Sequence, residues 1–436
     1  MKKLTLTLVL AFIFVACNTA VEPNLEVDIE PTVEISTPQN PERTALQEML
    51  DIANDNWNIS SGDFLSSEDV LYDIDFLVQT LEENFPFMSL VERVTGINEP
   101  LNSFRDNLTF HAQSENLDSS SFGNLIEGYF YDIFFSSMAH LRVNPLDYHG
   151  LWSFDLNPQI DAPPTIIEEG KIALIPVNPS FFNNFATLRE MVDLQNFIAE
   201  IQGYEHVILD LTHIGGGFID TAIETFILPN LSEPLYITEF AFITDGVFPT
   251  NEHSERLRRV NGNQLIGGSD FLALRNLVSP LVPAAEFAAQ HNLTNMNQDD
   301  LQNLAYGFII ETLLQPTDLS SLERINWSSR LPLLADNIWL LVSPTNGSAG
   351  AIFANIAKEA GLTLVGEQTS HWNSDGRAFF ELPRTGHIIS MDTFYITDST
   401  GRNIEEFPPE PHYFNRPGMD ALQTTLAIIA ERAEME

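Results

Sequence analysis

Cysteine is almost absent from this chain: in 436 residues, Cys17 is the only one. A lone cysteine forms no internal disulfide, which leaves it burial or chemical modification. Lysine is nearly missing too, occurring at Lys2, Lys3, Lys171 and Lys358. Cations as a class are scarce, with 20 Lys and Arg against 61 Asp and Glu, a formal net charge of −41. Such a field repels phosphate backbones and offers no basic patch to anionic lipid, so nucleic-acid partners are not expected. Its plain consequence is solubility; an acidic recognition surface is the alternative. Beyond the first 17 residues no apolar run reaches the length of a membrane span. There is no GxGxxG or GxxxxGK[ST] run, no HExxH, no paired histidine spacing and no solenoid repeat, which speaks against nucleotide, metal and other cofactors. What is present is core material: 44% hydrophobic and 10% aromatic residues, with only 19% charged, a balance unlike that of disordered chains.

The first 17 residues, MKKLTLTLVLAFIFVAC, start positive and continue with an apolar core from Leu4 to Val15 that is short for a bilayer. Small Ala16 then precedes Cys17, and the segment resembles the lipobox of bacterial lipoproteins. That resemblance implies diacylation of Cys17 as the mature N-terminus and a lipid-anchored, extracytoplasmic place in the cell envelope; an ordinary signal peptide cut nearby is the alternative. Residues 18–44, rich in Pro, Glu and Thr without apolar periodicity, read as a disordered tether.

Residues 45–139 read as a small helical N-terminal module. Ile74, Leu77, Leu81 and Phe85 recur at helical spacing, and further helices are expected around 99–113 and 121–138. The texture changes at 170. KIALIPV (171–177), HVILDL (206–211), IWLLVSP (338–344) and LTLVGE (362–367) are short apolar strands. Helices are expected between them at VDLQNFIAEI, from near Phe218 and from Ser348. Strands alternating with helices give an α/β fold in residues 140–436. An insertion at about 232–330, with helices expected over 269–277, 283–290 and 297–314, reads as a lid or side wall.

Two places carry chemistry. Ser348 follows a buried strand and the Asn346-Gly347 turn, and opens a helix. The free N–H groups and positive dipole of a helix start favour a developing oxyanion beside a hydroxyl; a serine there equally serves as a plain N-cap. Gly215, Gly216 and Gly217 follow strand HVILDL. Three glycines let backbone N–H groups approach a ligand closely, or simply permit a tight turn.

Together these segments resemble the S41 (C-terminal-processing) serine peptidase family. HVILDLTHIGGG is similar to its DLRxNxGG motif, and SAGAIFANIAKEAGLTLVGEQTS to its SAxE, helix, VGExTxG segment; FLVQTLEENFPF resembles its N-terminal helix. The resemblance spans roughly residues 70–230 and 335–430. It implies a crotonase/ClpP-like βαβ core with a helical N-terminal module and a helical insertion, no cofactor, and a peptide or unfolded-protein substrate cut through an acyl-enzyme at Ser348. The oxyanion hole would use backbone N–H groups of Gly216 and Ala349.

The family activates its serine in two ways. The lysine branch places its base about 25 residues after the serine. Asn373 stands there, and Lys358, ten residues along the same helix, lies too far along its axis. The tricorn-like branch uses histidine and glutamate. SMAHLRVNP occupies the place of its histidine segment, making His140 the candidate base, against a buried structural histidine. GRNIEEFPPEPHYF resembles its glutamate segment, with Glu405 as first choice and Glu406 as the alternative acid; Ser136 or Ser137 stands where the glutamate would reach the histidine through a serine. Thr212, Ile214, Ala351 and His371 depart from the family pattern. A degraded relative acting as a peptide or small-ligand binding module is therefore the second reading. The short spacing from His140 to strand KIALIPV leaves no room for a PDZ module. His213, His253 and His387 read as surface or core residues rather than metal ligands.

Overall fold

The computed structural model describes residues 64–114, 116–134, 141–144, 162–182, 186–217, 219–246, 275–277, 280–316, 331–370 and 377–435. The expected leader, Cys17, the tether, Ser136, Ser137, His140, His253 and His371 lie outside the described residues.

Local chemistry sets the N-terminal helices. Helix α1 (Ser67–Asn84) begins at Ser66, whose side-chain oxygen accepts from the Asp69 N–H at 3.1 Å. It stops at Phe85, before Pro86, because a proline ring disfavours a helical backbone in the preceding residue. Helices α2 (Met88–Thr95), α3 (Pro100–Ser114) and α4 (Ser119–Phe134) follow; α3 and α4 lie where helices were expected as far as the described residues run, and α2 is an additional one. Their apolar faces do not close on themselves. Phe76, Leu77 and Phe130 share one core with Phe242, Phe287, Phe380 and Met391 from the rest of the chain. At about 1.5–3 kcal/mol per fully buried large side chain, that shared core is a strong tie.

The next elements are β1 (Arg142–Asn144), β2 (Thr165–Glu168), β3 (Ile172–Pro176), helix α5 (Leu188–Glu200) and β4 (His206–Asp210). Helix α5 opens with a complete capping box between Thr187 and Glu190. A short helical stretch then changes winding twice, through Asp220–Ala222, a π turn at Ile223–Ile227 and a 3-10 turn at Leu228–Asn230. There follow β5 (Leu235–Ile243), β6 (Arg275–Leu277), β7 (Val282–Pro283), α6 (Ala284–Gln290), α7 (Gln298–Gln302) and β8 (Tyr306–Leu314). The chain closes with β9 (Asn337–Val342), α8 (Ala349–Glu359), β10 (Thr363–Gly366), β11 (Arg377–Glu381), β12 (Ile388–Asp392), β13 (Tyr395–Thr397), β14 (Tyr413–Phe414) and α9 (Ala421–Met435).

The central sheet is mixed, with spatial order β14-β10-β9-β4-β3-β2. The pairs from β3 to β14 are parallel and β2 is antiparallel. Parallel strands need a crossover, and α5 and α8 supply it as two βαβ units, so all four strands expected from the apolar runs are present. Burial on both faces explains why those strands read as continuous apolar runs.

The insertion differs from its expectation. Helix α6 lies where 283–290 was read. The 297–314 segment, however, is helical only over Gln298–Gln302 and then becomes strand β8, and Arg275–Leu277 is a strand. The frame of the insertion is a five-stranded sheet in which β5 and β8 run antiparallel over nine residue pairs. Nine consecutive cross-strand pairs outweigh the helical propensity of a segment such as YGFIIETLL. A third sheet, β1-β12-β11, joins the segment after α4 to the C-terminal hairpin.

Candidate active site

Strands β4 and β9 are parallel neighbours, Asp210 lying opposite Leu341. Their carboxyl ends therefore deliver two loops to one edge of the sheet: the glycine loop 211–217 and the loop 343–348. They are sewn together. The Leu211 N–H donates to Leu341 O at 3.1 Å, the Gly347 N–H to Gly215 O at 3.0 Å, and the Ser343 hydroxyl to Thr212 O at 2.6 Å.

Ser348 occupies the N-cap position of α8, yet its side chain makes no capping bond. Its backbone stands at φ 47°, ψ −123°, a region that side-chain-bearing residues rarely enter and that costs on the order of 1–3 kcal/mol. The carbonyl of Ser348 still accepts from the Ile352 N–H at 2.9 Å, so the helix starts normally after it. The strained turn brings the serine against the glycine loop: a Cβ placed on Gly216 would lie 3.2 Å from Ser348 Cβ and 3.7 Å from its Oγ. Gly217, at φ 135°, turns the loop away. Gly350 is required by the same close approach, since a Cβ there would meet the carbonyl oxygens of Ile214 and Gly215 at 2.9 Å each.

Three of the positions that depart from the family pattern, Thr212, Ile214 and Ala351, are locally satisfied. Thr212 donates through its hydroxyl (2.6 Å) and its N–H (2.9 Å) to Asp210 Oδ1. Ile214 is fully buried in the core between the central sheet and its helices. Ala351 is fully buried with Ala241, Phe308, Ile310, Ile396 and Ile404, surroundings in which an acidic side chain would be desolvated without compensation.

Ile404 thus ties the segment that carries the two candidate acids to the nucleophile helix. Glu405 is fully buried, and its N–H donates to Asn403 Oδ1 at 2.9 Å. Glu406 is placed differently: its Oε2 accepts from Arg93 at 2.8 Å. Arg93 also grips both carboxylate oxygens of buried Asp300 at 2.8 Å, and Asp300 Oδ2 accepts from Tyr395 Oη at 2.5 Å. Burial, followed by the Asp300 charge, raises the Tyr395 phenol far above its ordinary pKa, so it donates.

Leu141, fully buried, is the described neighbour of His140, and the strand after it pairs with β12. Two further histidines, His213 and His387, are among the described residues. The His213 ring nitrogen Nε2 lies 3.0 Å from Val177 O and so donates to it. His387 is buried between Thr385 Oγ1 (2.8 Å) and Ser119 O (2.7 Å), and burial holds its pKa below the ordinary value. Among the described residues no cluster of His, Cys, Asp and Glu is arranged to hold a metal, and no helix is long and apolar enough to cross a membrane.

Sequence reasoning missed Asn346. The Asn-Gly pair reads as a turn, and the turn is there, the Asn346 N–H donating to Ser343 O at 3.0 Å. The side chain does more: fully buried, it reaches Leu211 O at 2.6 Å, Ile214 O at 2.8 Å and the Ser343 N–H at 2.7 Å. Only the capacity of Asn to mimic a backbone turn hinted at this.

The model of peptidase family S41 matches residues 179–413, more than half the chain, and the chain belongs to that family. Membership supports a serine-peptidase-like function. Among solved structures, mature CPAF complexed with lactacystin is similar at TM-score 0.46 and 11% identity, over 80% of this chain and 94% of that one. A lipoprotein from Streptococcus agalactiae is similar at TM-score 0.42 and 12% identity, over 87% of this chain and 99% of that one. No curated protein sequence matches the chain.

Proposed function

We propose that this protein is an exported, lipid-anchored endopeptidase that hydrolyses peptide bonds through an acyl-enzyme at Ser348. One observation carries the reading: Ser348 sits at a helix start without capping it, held at φ 47°, ψ −123°. An N-cap serine is stable without such strain, whereas a nucleophile turned out of the helix towards a glycine loop has a use for it.

In the proposed reaction His140 takes the Ser348 proton as Oγ attacks the substrate carbonyl, and Glu405 orients the imidazole and offsets its charge. Glu405 is preferred to Glu406 because the Glu406 carboxylate is already held by Arg93 at 2.8 Å. The oxyanion is received by the N–H groups of Gly216 and Ala349. The protonated histidine passes its proton to the leaving amine, and water then releases the acyl group by the same steps. The substrate is a peptide or an unfolded chain. The anchor at Cys17 rests on the leader and on the absence of any second cysteine; Cys17→Ser is expected to release the protein from the membrane fraction.

The full-length chain in detergent is treated with a fluorophosphonate and mapped by peptide mass spectrometry. An adduct on Ser348 that is lost in Ser348→Ala and slowed in His140→Ala is expected. A folded protein that gives no adduct, beside a control hydrolase that does, refutes the catalytic reading. The second reading, a binding module, is favoured by the burial of Ile214 and Ala351 at positions where the family pattern is polar. It predicts saturable peptide binding that Ser348→Ala leaves unchanged.

A further inference from the structure

The oxyanion pocket proposed above is split between two loops whose contributing residues lie about 130 positions apart in the chain, so its geometry depends on what holds the loops in register. Main-chain ties run from the Leu211 N–H to Leu341 O (3.1 Å) and from the Gly347 N–H to Gly215 O (3.0 Å), and side chains add to them. Asn346 is the side chain that spans the gap. Its Nδ2 points one hydrogen to Leu211 O (2.6 Å) and the other to Ile214 O (2.8 Å), and its Oδ1 accepts from the Ser343 N–H (2.7 Å). The amide orientation is unambiguous on chemical grounds, because a flipped amide would set an oxygen against two carbonyls. The main-chain oxygen of Asn346 accepts in turn from the Ser370 N–H at 2.9 Å, bringing in the segment after β10. The residue is fully buried, a setting in which these bonds are strengthened.

Resting on the peptidase reading, we infer that Asn346 is a positioning residue of the reaction: a latch that fixes the Gly216 N–H relative to Ser348 Oγ and the Ala349 N–H. One residue separates Asn346 from Ser348, and one separates Ile214 from Gly216. A displacement at the latch is therefore carried to the pocket with little chain to absorb it. Ser343 adds a parallel tie through its hydroxyl to Thr212 O at 2.6 Å. The latch touches no reacting atom; it acts through the donors it aligns, and a misplacement of about 1 Å in such a site lowers the rate by about 100-fold.

The test is the kinetics of fluorophosphonate labelling on the full-length chain, separating the maximal rate, the inhibitor concentration at half that rate, and the final labelled fraction. Asn346→Asp is nearly isosteric but sets an oxygen against the carbonyls of Leu211 and Ile214. The expected result is a maximal rate lower by about 100-fold, with the half-saturating concentration and the labelled fraction unchanged. Asn346→Ala is expected to fall similarly, and Ser343→Ala by about 10-fold. A merely structural role lowers the labelled fraction and the melting temperature while leaving the rate of the folded fraction alone, and that result overturns the inference. Should neither Asn346 variant fold, Ser343→Ala decides: an unchanged rate overturns the latch. An unlabelled wild type overturns the peptidase reading and the latch with it, whereas a labelled wild type with unaffected variants overturns the latch alone.

Discussion

Arg93 and Glu406 meet at 2.8 Å, joining the second N-terminal helix to the residue that follows Glu405, 313 positions away in sequence. The same guanidinium holds Asp300, whose side chain is fully buried, while Arg93 itself is 26% exposed. Removing one partner of such a pair leaves a buried charge uncompensated. Arg93→Met is expected to lower stability by roughly 3 kcal/mol, the low end of that effect because water reaches part of the guanidinium. Tyr395→Phe, which removes one donor to Asp300, is expected to lower it by about 1 kcal/mol. Urea midpoints measure both, and equal midpoints for wild type and Arg93→Met refute the assignment.

Ser348→Gly and Ser348→Ala are expected to behave differently although both abolish labelling. Glycine enters φ 47°, ψ −123° without steric conflict, whereas alanine keeps the strain. After allowing for the greater freedom of glycine in the unfolded chain, Ser348→Gly is expected to exceed Ser348→Ala in stability by about 1 kcal/mol. Parallel thermal melts decide, and a less stable glycine variant contradicts the strain.

Two glycines separate site from scaffold. On Gly366, at φ 144°, a Cβ would fall 1.9 Å from Val342 O, an unyielding backbone atom. Gly366→Ala is expected to prevent folding, seen as loss of the cooperative melt. On Gly216 the nearest atom is Ser348 Cβ at 3.2 Å, which yields by a few tenths of an ångström. Gly216→Ala is expected to fold, melt near wild type and label about 10-fold more slowly.

A pH dependence follows from the contact between α1 and the β11–β12 hairpin. Asp73 accepts from the Arg384 N–H at 3.0 Å and the Thr385 N–H at 2.7 Å. Burial raises Asp73 to about 7, and burial together with the Asp73 charge raises Glu381 to about 9. Between the ordinary carboxylate range and these values the folded chain holds more protons than the unfolded one, so stability falls as pH rises. For Glu381 the loss begins near its ordinary value of 4.5 and is complete above about 9. Glu381→Gln, which cannot ionise, is expected to gain stability relative to wild type between pH 5 and pH 8. Melting temperatures of the pair at both values check this; a difference that does not change with pH contradicts it.

Four strands of the central sheet, β3, β4, β9 and β10, were legible because they are largely buried, so the apolar run itself is the signal, whereas the exposed edge strands β2 and β14 gave none. HVILDL, IWLLVSP and LTLVGE each became a strand, and the serine between the last two opened a helix where the pattern placed it. The ends of α1 have local causes of the same kind, since Ser66 and Pro86 act within one turn. The family resemblance, together with Asn373 standing where its lysine branch has a base, turned the expectation towards histidine. Strand β8 was not legible: its apolar residues suit either period, and only the nine-pair ladder with β5, some 70 residues earlier, chooses between them. The backbone strain at Ser348, the span of Asn346 to Leu211 and Ile214, and the binding of Glu406 by Arg93 were equally hidden. Each depends on atoms brought together across more than a hundred residues or on a backbone angle imposed by that packing. Local patterning specifies which segments are strands and helices; the meeting of two loop ends at one edge of a sheet decides what their side chains hold.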